Sequence, residues 1–312
     1  MKLRTALIGL GNIGSQYDQG VRSKSPRTHV GAILQSRGFE LCAVFDSSAT
    51  ARRQFQKDWK QDIPVFSSLS ALLKSQAFDV ITLASSTQSH FSILKSVITQ
   101  SPQLIFCEKP FCKTFTEAKK IARAADQAQI PILVNYHRRW DPRFDQFKKI
   151  LSSSGTPIKV IVTYQKGLVN YGSHAIDLLM NLFGPIHSVF PTPSLSAQIR
   201  FVSGFDAHLI AVEGTQYDLF EFEFYFKNRK IEIVYGGEEF HSYSAKPNLW
   251  YKGYTCLSQK PKRWTAPRSS PLLRAYSEIS AFLNRQAPLP KSNASSALKV
   301  HQVIDQIQRG QA

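Results

Sequence analysis

The feature that narrows the fold most is an alternation running through the first 135 residues. Largely apolar runs stand at 3–8, 39–46, 79–84, 104–108 and 130–135, and stretches with helical spacing separate them. Runs that are apolar on both faces read as parallel strands covered on each side by helices. Repeated strand and helix units of this kind make a doubly wound α/β sheet. A shorter strand at 63–66 and a helix at 68–76 continue the pattern. Such sheets bind ligands at the carboxyl ends of their strands, so the residues at each strand exit carry the argument.

The first exit is Gly9-Leu10-Gly11-Asn12-Ile13-Gly14, a G-x-G-x-x-G with a strand before it and a helix expected after it. Glycines there allow a tight turn and close backbone approach to a pyrophosphate, while helix-terminal N–H groups face the negative charge. Gly9, Gly11, Asn12, Ile13 and Gly14 are therefore candidate cofactor residues. At the second exit stands Asp46, an acid able to hold ribose hydroxyls. Its distance from Gly14 exceeds the usual spacing of about 20 residues, and residues 16–28, with Arg22, Lys24 and Arg27, read as the insertion responsible. An acid at Asp46 favours NAD, because it repels a 2′-phosphate; Arg52 and Arg53 keep NADP open. The 79–84 run ends at Ser85, Ser86 and Thr87, with His90 opening the next helix. Ser85 and His90 are further candidates for the cofactor, and a structural role for His90 stays open beside that one.

The exit at 104–110 is the most chemical. Four apolar residues stop at Glu108-Lys109-Pro110, which puts an acid and a base at the sheet's carboxyl edge. Proline fixes its own φ and pushes the preceding residue away from helical geometry, so Lys109 is held. A held, partly desolvated lysine exchanges protons near neutral pH. Thr116 is expected to cap a helix reaching Gln127, with Glu117 and Lys120 on its outer face. The last exit, 136–142, is dense in polar groups and includes Tyr136 and Arg138.

Beyond residue 155 the pattern changes to alternation in and out, at 159–164, 197–202, 207–213, 217–226 and 230–235. Phenylalanines and glutamates take opposite faces in 219–226, the signature of an antiparallel sheet with one buried side. A hairpin at 227–230 joins the last two of these strands, and helices at 271–285 and 293–309 close the chain. One helix, 174–183, interrupts this region, and Asn170, His174 and Asp177 would share its polar face. The expected organisation is thus a Rossmann domain over 1–135 and an α+β domain with an open, mostly antiparallel sheet over 136–312. Return of the C-terminal helices to the first domain is left open.

Among the 312 residues, 43% are apolar and 20% charged, which suits a soluble globular protein and argues against disorder. No run is long enough to span a bilayer and no leader is evident, so a cytoplasmic protein without a membrane partner is expected. Cys42, Cys107, Cys112 and Cys256 lack metal-ligand spacing and are expected as reduced, buried thiols; no metal is expected. The net charge of +17 invites a nucleic-acid reading. Its basic residues are spread along the chain without a recognised motif, which disfavours that reading. The exception is 246–277, an acid-free stretch in which Lys246, Lys252, Lys260, Lys262, Arg263, Arg268 and Arg274 alternate with Trp250, Tyr251, Tyr254, Trp264 and Tyr276. Such a stretch suits a phosphate-bearing ligand, or is a solvated loop.

These motifs, with Gly172-Ser173-His174-Ala175-Ile176-Asp177-Leu178 and Phe183-Gly184 in the same order, resemble the glucose-fructose oxidoreductase, inositol dehydrogenase and MocA (Gfo/Idh/MocA) family. The resemblance implies hydride transfer between a nicotinamide cofactor, NAD or NADP, and a sugar, polyol or nucleotide-linked sugar, in a homo-oligomer. It makes Lys109 and His174 the catalytic pair, places Asn170, Asp177, Arg138 and Tyr136 at the substrate, and adds Glu108 and Lys109 to the cofactor contacts. Two departures stand out. Asn170 replaces an acid, and an amide cannot take a proton; Ser86 replaces a common proline. Asn170 motivates the alternative of a cofactor-binding sensor or scaffold without catalysis.

Overall fold

In the computed structural model, which describes residues 2–19, 23–264 and 270–311, the first sheet is built from the apolar runs. Its strands are β1 (Leu3–Ile8), β2 (Phe39–Phe45), β3 (Val65–Phe66), β4 (Val80–Leu83), β5 (Leu104–Glu108) and β6 (Ile132–Asn135). They are paired in parallel in the order β3-β2-β1-β4-β5-β6. The order reverses between β1 and β4, which makes the crevice outside their carboxyl ends the expected ligand site. Helices α1 (His29–Gln35), α2 (Ala49–Trp59), α3 (Leu69–Ser75), α4 (Thr87–Ile98) and α5 (Phe115–Gln127) connect the strands. β4 and β5 are buried along their whole length, as runs covered on both faces must be.

Two local expectations are corrected here. The glycine-rich turn does not open a regular helix: Asn12–Gln16 forms a single π-helical turn, and α1 starts only at His29. Between them, buried Asp18 accepts the N–H groups of Arg27 (3.0 Å) and Thr28 (2.9 Å) and the Thr28 hydroxyl (2.6 Å). Arg27 also pairs with Asp18 at 3.6 Å, so this loop is drawn in on its own carboxylate; Arg22 lies outside the described residues. The cap of α5 is Thr114, not Thr116. Its hydroxyl accepts the Glu117 N–H (3.1 Å) while Glu117 returns to the Thr114 N–H (3.3 Å), a reciprocal capping box.

The remaining elements are α6 (Pro142–Ser152), β7 (Lys159–Tyr164), α7 (Ser173–Phe183), β8 (Ile186–Thr192), β9 (Ser196–Phe201), β10 (Asp206–Ala211), β11 (Phe220–Tyr225), β12 (Arg229–Val234), β13 (Glu239–Pro247), β14 (Thr255–Leu257), β15 (Lys262–Trp264), α8 (Pro271–Leu283) and α9 (Ala294–Arg309). The second sheet runs β14-β13-β12-β11-β7-β10-β9-β8, with β15 on β13. All its pairings are antiparallel except β7 with β10. Alternation in β11 is as expected, with Phe220, Phe222 and Phe224 buried and Glu221 and Glu223 half-buried. Strands β8, β13, β14 and β15 were not expected. β8 and β13 contain Pro191 and Pro247, and β14 and β15 are three residues each, so neither periodicity nor composition announces them.

The chain divides into two compact units, Met1–Asp141 with Arg268–His301, and Pro142–Pro267 with Gln302–Ala312. In the first, α8 adds Leu272, Ala275, Tyr276 and Ile279 to a core that includes Leu7, Val30, Phe39 and Phe106. The four cysteines are free, but only Cys107 and Cys112 are buried; Cys42 is half-buried and Cys256 exposed on a short edge strand. The basic and aromatic stretch from Lys246 forms the end of β13, then β14 and β15, and carries exposed Leu249, Trp250, Tyr251 and Tyr254. Residues 265–269 of that stretch, Arg268 among them, lie outside the described residues. No helix among the described residues is long and apolar enough to cross a membrane.

Candidate active site at the carboxyl edge of the first sheet

A cleft of about 440 Å³ opens where the strand order reverses, lined by Gly9, Gly11, Phe45, Asp46, Ser85 and Ser86 among others. The glycines serve it in different ways. At Gly9, φ is +103° and a Cβ would lie 2.5 Å from the Ala84 carbonyl carbon, so this residue lets the turn pack on the end of β4. A Cβ on Gly14 would meet the Gly9 oxygen at 2.2 Å. At Gly11 it would meet nothing within 4 Å, which leaves the cleft wall open for a bulky anion. These residues fit a dinucleotide. Asn12 is exposed and Ile13 half-buried on the π-helical turn beside them.

Asp46 closes the cleft at the end of β2. Its Oδ2 accepts the Leu10 N–H at 2.7 Å and its Oδ1 the Ser48 N–H at 2.8 Å, which ties the acid to the glycine turn. The Arg52 guanidinium is turned onto the carbonyls of Asp46 (2.7 Å) and Ser47 (2.9 Å). On the other side, Ser85 bonds Ser89 (2.8 Å). His90 is fully buried, with Nε2 3.0 Å from the Ser85 carbonyl and Nδ1 3.0 Å from that of Pro110. The ring thus joins the loop after β4 to the turn after β5. Burial pushes its pKa below the ordinary histidine value against the pull of the carbonyls of Ser85, Phe111 and Pro110 and the Glu108 charge.

β5 delivers Glu108 and Lys109 to the same edge, followed by a cis peptide to Pro110. Glu108 is buried; its Oε1 accepts from Asn135 Nδ2 (2.6 Å) and lies 2.9 Å from His29 Nε2, and its Oε2 accepts the Lys109 N–H (3.3 Å). Burial pushes this carboxyl upward, but the bonds and charge of His29, the Asn135 amide and the Lys109 charge hold it below the usual carboxylate value. Lys109 is half-buried. Its pKa is lowered, chiefly by burial, with the Arg138 charge adding and the Glu108 charge opposing. Tyr136 is buried and Arg138 half-buried in the segment after β6.

In the second unit, His174 and Asp177 lie buried on α7, whereas Asn170 is exposed in the π-helical turn Leu168–Gly172 that precedes it. Ser173 Oγ donates to the Asn170 carbonyl (2.7 Å), which stitches turn to helix. Asn170 and His174 are therefore not on one continuous α-helical face. Among the described residues, no group of three or more His, Cys, Asp or Glu side chains is placed to hold a metal ion. His29 and Asn135 were not singled out by the sequence, and Tyr276, grouped there with the ligand-facing aromatics of 246–277, is instead wholly buried on α8; all three touch the Glu108 network. Only Asn135 carried a local signal, as the polar end of an apolar run.

An open α/β sheet with a glycine-lined crevice at its switch point defines a dinucleotide-binding class. Residues 3–136 match the family model described as "Oxidoreductase family, NAD-binding Rossmann fold", so this first region is similar to the Gfo/Idh/MocA family. The resemblance carried by the motifs is borne out. Inositol 2-dehydrogenase of Paracoccus denitrificans is 26% identical over 163 residues, 51% of this chain and 45% of that protein. The chain spans about half the length of the curated relatives it matches. A dehydrogenase from Chromobacterium violaceum superposes with a TM-score of 0.80 at 18% identity, covering 99% of this chain and 95% of the other. The WlbA dehydrogenase from Bordetella pertussis, solved with NADH and UDP-GlcNAcA, gives 0.75 at 19% identity over 100% and 97%. At these identities the two structures establish the fold.

Proposed function

We propose that the protein is an NAD-preferring oxidoreductase that transfers hydride at a secondary alcohol or ketone of a sugar, polyol or nucleotide-linked sugar, with Lys109 as the proton-transfer residue. The observation that carries the reading is Lys109 itself: a half-buried lysine with a lowered pKa at the carboxyl edge of the sheet, at the end of β5, the strand beside the β4 edge of the glycine-lined cleft. A nicotinamide dinucleotide held in the cleft supplies the carbon that accepts or donates hydride. Gly9, Gly11 and Gly14 shape the turn for its pyrophosphate, and Asp46 faces the ribose. NAD is favoured over NADP because Asp46 stays at the rim while Arg52 is committed to backbone carbonyls. Lys109, once deprotonated, takes the hydroxyl proton during oxidation and returns it during reduction. His90 and Glu108 support the two loops that frame it. His174, Asp177, Arg138, Tyr136 and Asn170 are assigned to substrate recognition, with His174 as a second proton-handling group. The sugar-nucleotide clause rests on the WlbA complex and on the acid-free stretch from Lys246.

Lys109→Ala is expected to abolish turnover, by about 100-fold or more, while NADH affinity, read from nucleotide fluorescence, stays near the wild-type value. Turnover that survives the substitution on a panel of sugars, polyols and nucleotide sugars refutes the assignment. NADPH binding as tightly as NADH refutes the cofactor preference.

A further inference from the structure

Glu108 is the visible end of a longer buried chain. His29 Nε2 lies 2.9 Å from Glu108 Oε1, His29 Nδ1 lies 3.0 Å from Tyr276 Oη, and Tyr276 Oη lies 3.0 Å from Thr82 Oγ1. Asn135 Nδ2 donates to the same carboxylate oxygen at 2.6 Å. The chain draws on β4, α1, α8, β5 and β6, and His29, Tyr276 and Thr82 are wholly inaccessible. Edge-on contacts with Phe39 and Phe106 enclose the two rings in apolar surroundings. A hydroxyl, a phenol and an imidazole are costly there unless each is bonded, and an all-apolar core of the same volume would be no less stable. The polarity therefore calls for a role beyond packing.

Donor logic fixes the arrangement. Ionised Glu108 only accepts, so His29 Nε2 carries a proton toward it. His29 Nδ1 in turn bonds the Tyr276 hydroxyl, and that hydroxyl bonds Thr82. Two donors thus converge on Glu108 Oε1 from inside the core. Lys109 is the next residue, and the Glu108 charge favours its ammonium, against burial and Arg138. A carboxylate this deeply buried keeps its charge through those donors, which offset the cost of burial.

We propose that His29 and Tyr276 are positioning residues that keep the Glu108 carboxylate ionised and turned into the core, and so sustain its hold on the neighbouring Lys109 ammonium. Helix α8 thereby takes part in setting the proton exchange of a lysine at the edge of β5. This inference rests on the assignment of Lys109 to proton transfer for its meaning, but not for its test.

The test titrates Lys109 directly in the full-length protein. Trace acetylation by acetic anhydride across a pH series, quantified at the Lys109 peptide by mass spectrometry, gives the midpoint of its amine without any substrate. In His29→Leu the inward donor is lost, burial then favours the neutral Glu108 carboxyl, its charge no longer supports the Lys109 ammonium, and the midpoint is expected to fall by roughly half a unit or more. His29→Gln, whose amide both donates and accepts, is expected to bring it back toward wild type. Tyr276→Phe removes the hydroxyl that orients His29 and is expected to move the midpoint the same way by less. An unchanged or raised midpoint in folded His29→Leu overturns the inference. Should that variant not fold, an unchanged midpoint in Tyr276→Phe overturns it instead. A lowered midpoint in His29→Leu together with turnover that survives Lys109→Ala would refute the proposed function and leave the positioning intact.

Discussion

At the scale of single residues, the glycines of the first turn separate folding from binding. Gly9 has a positive φ and backbone 2.5 Å from where a Cβ would stand, so Gly9→Ala is expected to lose about 3 kcal/mol or more of stability. Gly11 has neither constraint. Gly11→Ala is expected to keep stability within about 0.5 kcal/mol, and to lower NADH affinity on the order of tenfold because the methyl intrudes on the cleft. Urea melts and nucleotide titrations of the two variants check both expectations. Equal binding loss without any stability difference would show that Gly9 is not a folding residue. The motif alone does not distinguish its glycines; the backbone angles and the neighbours do.

At the scale of elements, strand exits were legible and long-range pairings were not. Glu108, Lys109 and Asp46 could be placed because an apolar run stops abruptly at each. His29 and Tyr276 are 247 positions apart and sit on helices whose pattern records only that they are buried. The same holds for His301 on α9, whose Nε2 accepts the Cys112 N–H at 3.4 Å. Burial pushes the His301 imidazole down to about 4. Unfolded histidine titrates near 6.5, so between about 6.5 and 4 the unfolded chain binds the extra proton and the folded one does not. Stability from this group is therefore complete above about pH 6.5 and is lost as pH falls toward 4, by on the order of 3 kcal/mol in all. His301→Gln keeps an acceptor for Cys112 without a titrating ring. Its urea midpoint is expected to fall less than the wild-type midpoint between pH 7 and 4.5; parallel declines would show that His301 is not the group responsible.

At the scale of the whole molecule, the first unit is finished by the last part of the chain. Leu272, Tyr276 and Ile279 of α8 are buried in its core, and Ser292 bonds both ways with Val134, which covers the edge strand β6. Burying three such side chains contributes about 2 kcal/mol each, on the order of 6 kcal/mol together. Net stability of a domain is only about 5–15 kcal/mol. A fragment of residues 1–141, which contains the whole parallel sheet and the glycine turn, is therefore expected to lack a cooperative urea transition and to bind NADH poorly. Joining residues 268–301 to it through a flexible linker is expected to restore both. A fragment that unfolds cooperatively without that segment would mean that the six strands and five helices suffice, and that the return of α8 serves the Glu108 network alone.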